Sequence, residues 1–210
     1  MSAADPPPFL FDGPETARKT IVLAHGAGAA MDSAFMNTIA AGLADRDLRI
    51  ARFEFPYMQK RRADGGRRPP DRQPILLACW CQVIAALGSA SRLIIGGKSM
   101  GGRMASLIAD ERAVAGLVCL GYPFHPPGRL DKPRTEYLRG LATPTLILQG
   151  ERDALGNRED VAGYDLSKSI GIHWLGDGDH DLKPRKKSGR THDENLSEAI
   201  AAMGDFVAGL

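Results

Sequence analysis

Cysteine is scarce in this 210-residue chain: Cys79, Cys81 and Cys119 cannot all pair with one another, which excludes a disulfide framework. Cys79 and Cys81 stand two apart on an expected helix, where side chains diverge, and Cys119 lies in an apolar run, so reduced thiols in a cytoplasmic protein are expected. No Cys-x-x-Cys with a nearby histidine is present, so neither a metal nor a cofactor is expected. No apolar run approaches the roughly 20 residues needed to cross a bilayer. Met1–Pro8 lacks the basic-then-apolar order of a signal peptide. Excess charge is small as well. A net +2, with only 6% aromatics and none interleaved with the basic stretches, argues against a nucleic-acid partner. What is there, 43% hydrophobic and 25% charged residues, suits a globular domain with a proper core.

Residues 1–19 read as a tail, proline-rich at Pro6, Pro7 and Pro8, with one edge strand over Phe9–Phe11; residues 20–210 read as a single domain. Short apolar runs predict strands at Thr20–Ala24, Arg49–Phe55, Arg92–Gly96, Gly116–Leu120, Thr145–Gln149 and Gly171–Leu175. Helical spacing predicts helices at Ser33–Ala44, capped by Asp32 or Ser33, and at Pro74–Leu87, Gly101–Asp110 and Glu194–Val207. One helix between most strand pairs gives the expected fold class: α/β, a doubly wound, mostly parallel sheet with helices on both faces. Two basic stretches are expected as loops. Lys60–Arg72 carries six Lys/Arg against two Asp, and Lys183–Arg190 five Lys/Arg and no acid.

Gly97-Lys98-Ser99-Met100-Gly101 is a G-x-S-x-G pattern between an apolar strand and a helix. A nucleophile on so sharp a turn needs neighbours without side chains, and the following helix aims amides at a developing oxyanion. Gly97-Lys98-Ser99 also looks like the end of a phosphate-binding Walker A loop. That loop requires glycine five positions earlier, where Arg92 stands, and the nucleotide reading fails. Two partners follow, each just after a strand: Asp153, preferred to Glu151 as the later residue on its loop, then His180. In a parallel sheet these loops share one edge, so Ser99, Asp153 and His180 are expected as nucleophile, orienting acid and base. The small residues after the first buried strand, His25-Gly26-Ala27-Gly28-Ala29, predict an oxyanion hole from the backbone amides of Ala27 and Met100. Asp177, Asp179 and Asp181 read as turn formers, His173 as structural, and His192 as a surface or cap neighbour.

These residues resemble the α/β-hydrolase superfamily over roughly Lys19–Leu210. The wording Leu23–Ala29, Phe53–Tyr57, Gly97–Arg103 and Asp179–Arg185 is similar to a compact, lid-poor branch. That branch includes bacterial hydrolases and the hydrolase-like domain of a KANSL/Tex-type chromatin subunit. A looser similarity is to dienelactone hydrolases, which carry cysteine where this chain has Ser99. The resemblance implies a serine-hydrolase scaffold and fixes no substrate; small esters or thioesters, cleaved through an acyl-enzyme on Ser99, are the reading taken from the residues. It leaves open an amidase or peptidase, and a hydrolase-fold scaffold with little activity.

About two dozen residues separate the Gly116–Leu120 and Thr145–Gln149 strands, too few for a lid domain, so a small-molecule ester is the expected partner. Some of Arg61, Arg62, Arg67, Arg68, Arg185 and Lys186 are candidates to frame the mouth and attract an anionic substrate, the alternative being a solvated pair of loops. His25, Tyr57 and His125 are further candidates for substrate contact. A monomer or homodimer is expected.

Overall fold

Alternation along the second strand sets the architecture: Ile21 and Leu23 point to one face, Val22 and Ala24 to the other, and all four are buried. The computed structural model of the chain describes residues 5–210; positions 1–4 of the expected tail lie outside the described residues. Its strands are β1 (Phe9–Asp12), β2 (Thr20–Ala24), β3 (Arg49–Phe53), β4 (Leu93–Lys98), β5 (Gly116–Leu120), β6 (Thr145–Gly150) and β7 (Ile170–Leu175). Its helices are α1 (Ala34–Ala44), α2 (Pro56–Asp64), α3 (Gln73–Leu87), α4 (Met100–Ser106), α5 (Arg158–Ala162) and α6 (His192–Ala208). The strands form one sheet of order β1-β3-β2-β4-β5-β6-β7, parallel except for β1, which runs antiparallel along β3. Ile21, Leu23 and Ile94 pack under α1 and α6; Val22, Ala24 and Ile95 pack under α3 and α4. Among the described residues no helix is long and apolar enough to cross a membrane.

Residues 121–144 join β5 to β6 with one turn of 3-10 helix at Glu136–Leu138, so no lid covers the sheet edge. The chain leaves β2 toward β3 on one side, then returns past it to place β4 on the other. Loops leaving neighbouring strands in opposite directions open a crevice at their C-terminal ends. The candidate site occupies that crevice.

Two expectations need correction, and one element is added. Lys60–Asp64 is helical rather than loop, as the second half of α2. Pro56 starts that helix, buried Tyr57 and Met58 anchor it, and Gly65 ends it in the left-handed conformation at φ 69°. The expected helix to Asp110 stops at Ser106; the amides of Leu107 and Ile108 then bond three residues back, tightening into turns. Helix α5 escapes periodicity because it has five residues, yet Asn157 and Asp160 close a capping box around its start.

Candidate active site

Strand β4 runs directly into Ser99, whose backbone sits at φ 49°, ψ −113°, a conformation costly for any residue with a side chain. The turn is tight because β2 abuts it. A Cβ on Gly97, at φ 145°, would lie 2.0 Å from the Ala24 carbonyl oxygen, and one on Gly101 would lie 2.6 Å from the same atom. Glycine at both flanks is therefore a steric requirement of this packing.

The sheet edge brings Ser99, His180 and Asp153 into one chain of hydrogen bonds. His180 Nε2 is 2.8 Å from Ser99 Oγ, and His180 Nδ1 is 2.7 Å from Asp153 Oδ2. A carboxylate only accepts, so the imidazole carries its proton on Nδ1 and leaves Nε2 free to accept from the serine hydroxyl. Asp153 is fully buried. It is held on three sides: Leu155 N–H donates to Oδ1, while Gln149 Nε2 and His180 Nδ1 donate to Oδ2. Glu151 points elsewhere, pairing with Arg158 and accepting from the Asp177 amide. Gly121, at φ 67°, leaves room for His180, since a Cβ there would stand 2.8 Å from its carbonyl oxygen and 3.3 Å from its ring.

Two side chains expected to touch substrate instead support the loop after β2. His25 is fully buried. Phe55 N–H donates to its Nε2 at 3.1 Å, so Nδ1 carries the proton and donates to the Gly26 carbonyl at 2.6 Å. Burial pushes the pKa of His25 down and keeps the ring neutral. Tyr57, also buried, donates its hydroxyl to the Ala27 carbonyl at 3.0 Å. In a trans peptide the N–H points opposite the C=O. Holding the Gly26 carbonyl against His25 therefore turns the Ala27 amide the other way. Met100 is the first residue of α4, so its N–H has no partner within the helix.

Ala27, Ser99 and His180 share a cleft of about 330 Å³ whose other walls include Ala29, Phe35, Met36 and Lys98. His125 is not among them. It is buried between the Pro126 carbonyl and Asp160, 3.2 Å from Nε2, and braces the 121–135 loop against α5. None of Arg61, Arg62, Arg67, Arg68, Arg185 or Lys186 lines the cleft. Arg62 pairs with Glu54 at 2.7 Å and Asp32 at 2.8 Å, Arg68 with Asp64 at 2.6 Å, and Arg185 with Asp177. These three guanidinium groups are each taken by a carboxylate of their own neighbourhood and so are not free to face the cleft. Asp177 and Asp179 also tie their own loop, accepting from the amides of Arg185 and of Asp181 and Lys183. His173 pairs with Glu198, and His192 Nε2 meets the Asp181 carbonyl.

The cation that does line the cleft is Lys98, which drew notice in the sequence only through its likeness to a phosphate-loop lysine. Gln149 is not singled out by any motif; its one signal in the sequence is a polar residue near the end of the apolar run Thr145–Gly150.

Because Glu54 is buried and Arg62 is its charged partner, Arg62→Ala is a stability change rather than a catalytic one. Thermal unfolding should show a loss of about 1–2 kcal/mol, the cost of a buried acceptor losing a half-exposed donor, with ester turnover unaltered. An unchanged Tm would contradict this.

A lidless, mostly parallel sheet with a serine at its central strand-to-helix turn and a histidine and an acid on later loops defines the hydrolase class of α/β domains. A family model described as an alpha/beta hydrolase domain matches residues 17–208, and the chain belongs to that family. Solved structures agree on the fold. A serine hydrolase homologue from Coxiella burnetii is 19% identical, with a TM-score of 0.68 over 96% of this chain and 90% of that one. A serine hydrolase without a lid from Xanthomonas campestris is 17% identical, with a TM-score of 0.68 over 95% of this chain and 87% of that one. Est1E of Butyrivibrio proteoclasticus, solved with ferulic acid bound, is 14% identical, with a TM-score of 0.71 over 96% and 94% of the two chains.

Proposed function

We propose that the protein is a serine hydrolase that cleaves small esters or thioesters through an acyl-enzyme on Ser99. The observation that carries this reading is the Asp153–His180–Ser99 hydrogen-bond chain opening onto a cleft walled by Ala27, Ala29, Phe35 and Met36. Ser99 Oγ adds to the substrate carbonyl carbon while its proton passes to His180 Nε2. The amides of Ala27 and Met100 receive the oxyanion, and Asp153 stabilises the imidazolium. Collapse breaks the bond to the alcohol or thiol, which takes the proton from Nε2. Water repeats the sequence and frees the acid.

The cleft suits an uncharged acyl group. Its apolar walls offer no unpaired cation for a carboxylate, since Lys98 is already bonded to the His180 carbonyl and Asp181. Its volume of about 330 Å³ lies at the small end of ligand pockets. Across p-nitrophenyl esters from acetate to decanoate, kcat/KM should therefore be highest for short chains and fall for the longest. Failure of the folded protein to turn over any member of the series would overturn the reading.

A further inference from the structure

The loop from β7 to α6 must hold the His180 imidazole to within about 0.5 Å for catalysis, yet little of that loop is regular structure. Turn bonds organise its flanks: Gly178 N–H to the Leu175 carbonyl, Asp179 N–H to the Lys183 carbonyl and Leu182 N–H to the Asp179 carbonyl. Leu182 is fully buried and pins the loop beyond the histidine. The His180 carbonyl is bonded by a different part of the molecule. Lys98, the residue immediately before Ser99, extends across the cleft floor and donates from Nζ to that carbonyl at 2.7 Å. The same ammonium lies 3.2 Å from Asp181 Oδ1 and 5.6 Å from the centre of the Phe35 ring.

An ammonium in this position is costly to keep. The Lys98 side chain is only 10% exposed, and burial pushes its pKa down while Asp181 beside it pushes it back up. Asp153 and Asp179 are the further charges that favour its charged form. A methionine or leucine would fill the same space without desolvating a charge. The cost has a geometric return: one side chain joins the backbone of the base to the residue preceding the nucleophile, by a path that avoids the reacting atoms. The two hydrogen bonds of the His180 ring change as the proton moves. The bond to its carbonyl does not.

We propose that Lys98 is a positioning residue that holds His180 in register with Ser99 by anchoring the histidine's own backbone carbonyl. This rests on the serine-hydrolase reading above. Aligned reacting groups lose up to about 100-fold in rate for displacements near 1 Å. Lys98→Met should accordingly lower kcat for p-nitrophenyl acetate roughly 10- to 100-fold, with KM held within about twofold. Lys98→Gln keeps an N–H donor on a neutral side chain and should recover part of the lost kcat. Fluorophosphonate labelling of Ser99 should slow in the same order, with Met slower than Gln and Gln slower than the parent.

Parent-like kcat in a folded Lys98→Met protein would overturn the proposal. So would a change confined to KM, which would make Lys98 a substrate contact. Loss of folding in both variants would also overturn it, because the residue would then be holding the fold. If the parent itself neither turns over ester nor takes up the probe, the hydrolase reading fails instead, so the two failures are distinguishable.

Discussion

Ser99→Ala is expected to abolish ester turnover while leaving the protein as stable as the parent. Removal of the nucleophile in a triad that acts as a unit lowers kcat by about 10⁴- to 10⁶-fold, and only the weak contribution of substrate binding and oxyanion donors remains. Stability should hold because the hydroxyl is not needed for packing. Its partner is His180 Nε2, on a ring whose side chain is 29% exposed and can be hydrated in its place. The backbone makes a second variant informative. At φ 49° and ψ −113°, Ser99 occupies a region that glycine enters more easily than any L-residue. Ser99→Gly should therefore be as inactive as Ser99→Ala, yet more stable than it by about 1 kcal/mol from relief of that strain. Greater stability of the alanine form would contradict a strained turn. Comparing thermal unfolding of the two inactive variants isolates the strain from the chemistry.

Asp153→Asn carries the second large effect, and it acts through a proton position. All three groups around the carboxylate are donors: Leu155 N–H, Gln149 Nε2 and His180 Nδ1. A carboxamide cannot accept from all of them, because one of its two ends is itself a donor. The ring is free to respond by carrying its proton on Nε2, where it can no longer accept from Ser99. In a serine protease the same exchange costs about 10⁴-fold in kcat with the geometry intact, and a loss of that order is expected here. The buried mismatch should also lower stability by about 1–3 kcal/mol. Turnover within tenfold of the parent would mean that Asp153 does not set the tautomer.

Why the strands and the convergence of the candidate-site residues are legible is plain from the residues. Ile21–Ala24, Ile94–Ile95 and Leu117–Leu120 are continuous apolar runs because parallel strands are buried on both faces. The C-terminal ends of such strands must share an edge, so the residues just after β4, β6 and β7 are brought together by topology alone. Side-chain direction was not legible in the same way. His25-Gly26 marks a loop near the site, but whether the imidazole faces the substrate or the backbone depends on the Phe55 amide, 30 residues away in sequence. The basic stretches are hard to read for a related reason. Arg62 is neutralised by Glu54 and Asp32, the second of these again 30 residues upstream, and charge counted along a segment cannot see a partner across the fold. Gln149 and Lys98 share one signature, a polar side chain at the end of a buried strand, which states that a polar partner exists without saying which.

The central claim, that Ser99 is a nucleophile activated by His180, is tested most directly by covalent labelling followed by intact and peptide mass spectrometry. Incubated with a fluorophosphonate, the parent should gain a single adduct on the peptide containing Ser99, and Ser99→Ala should gain none. A folded parent that stays unlabelled, or a label that persists in Ser99→Ala, would contradict it.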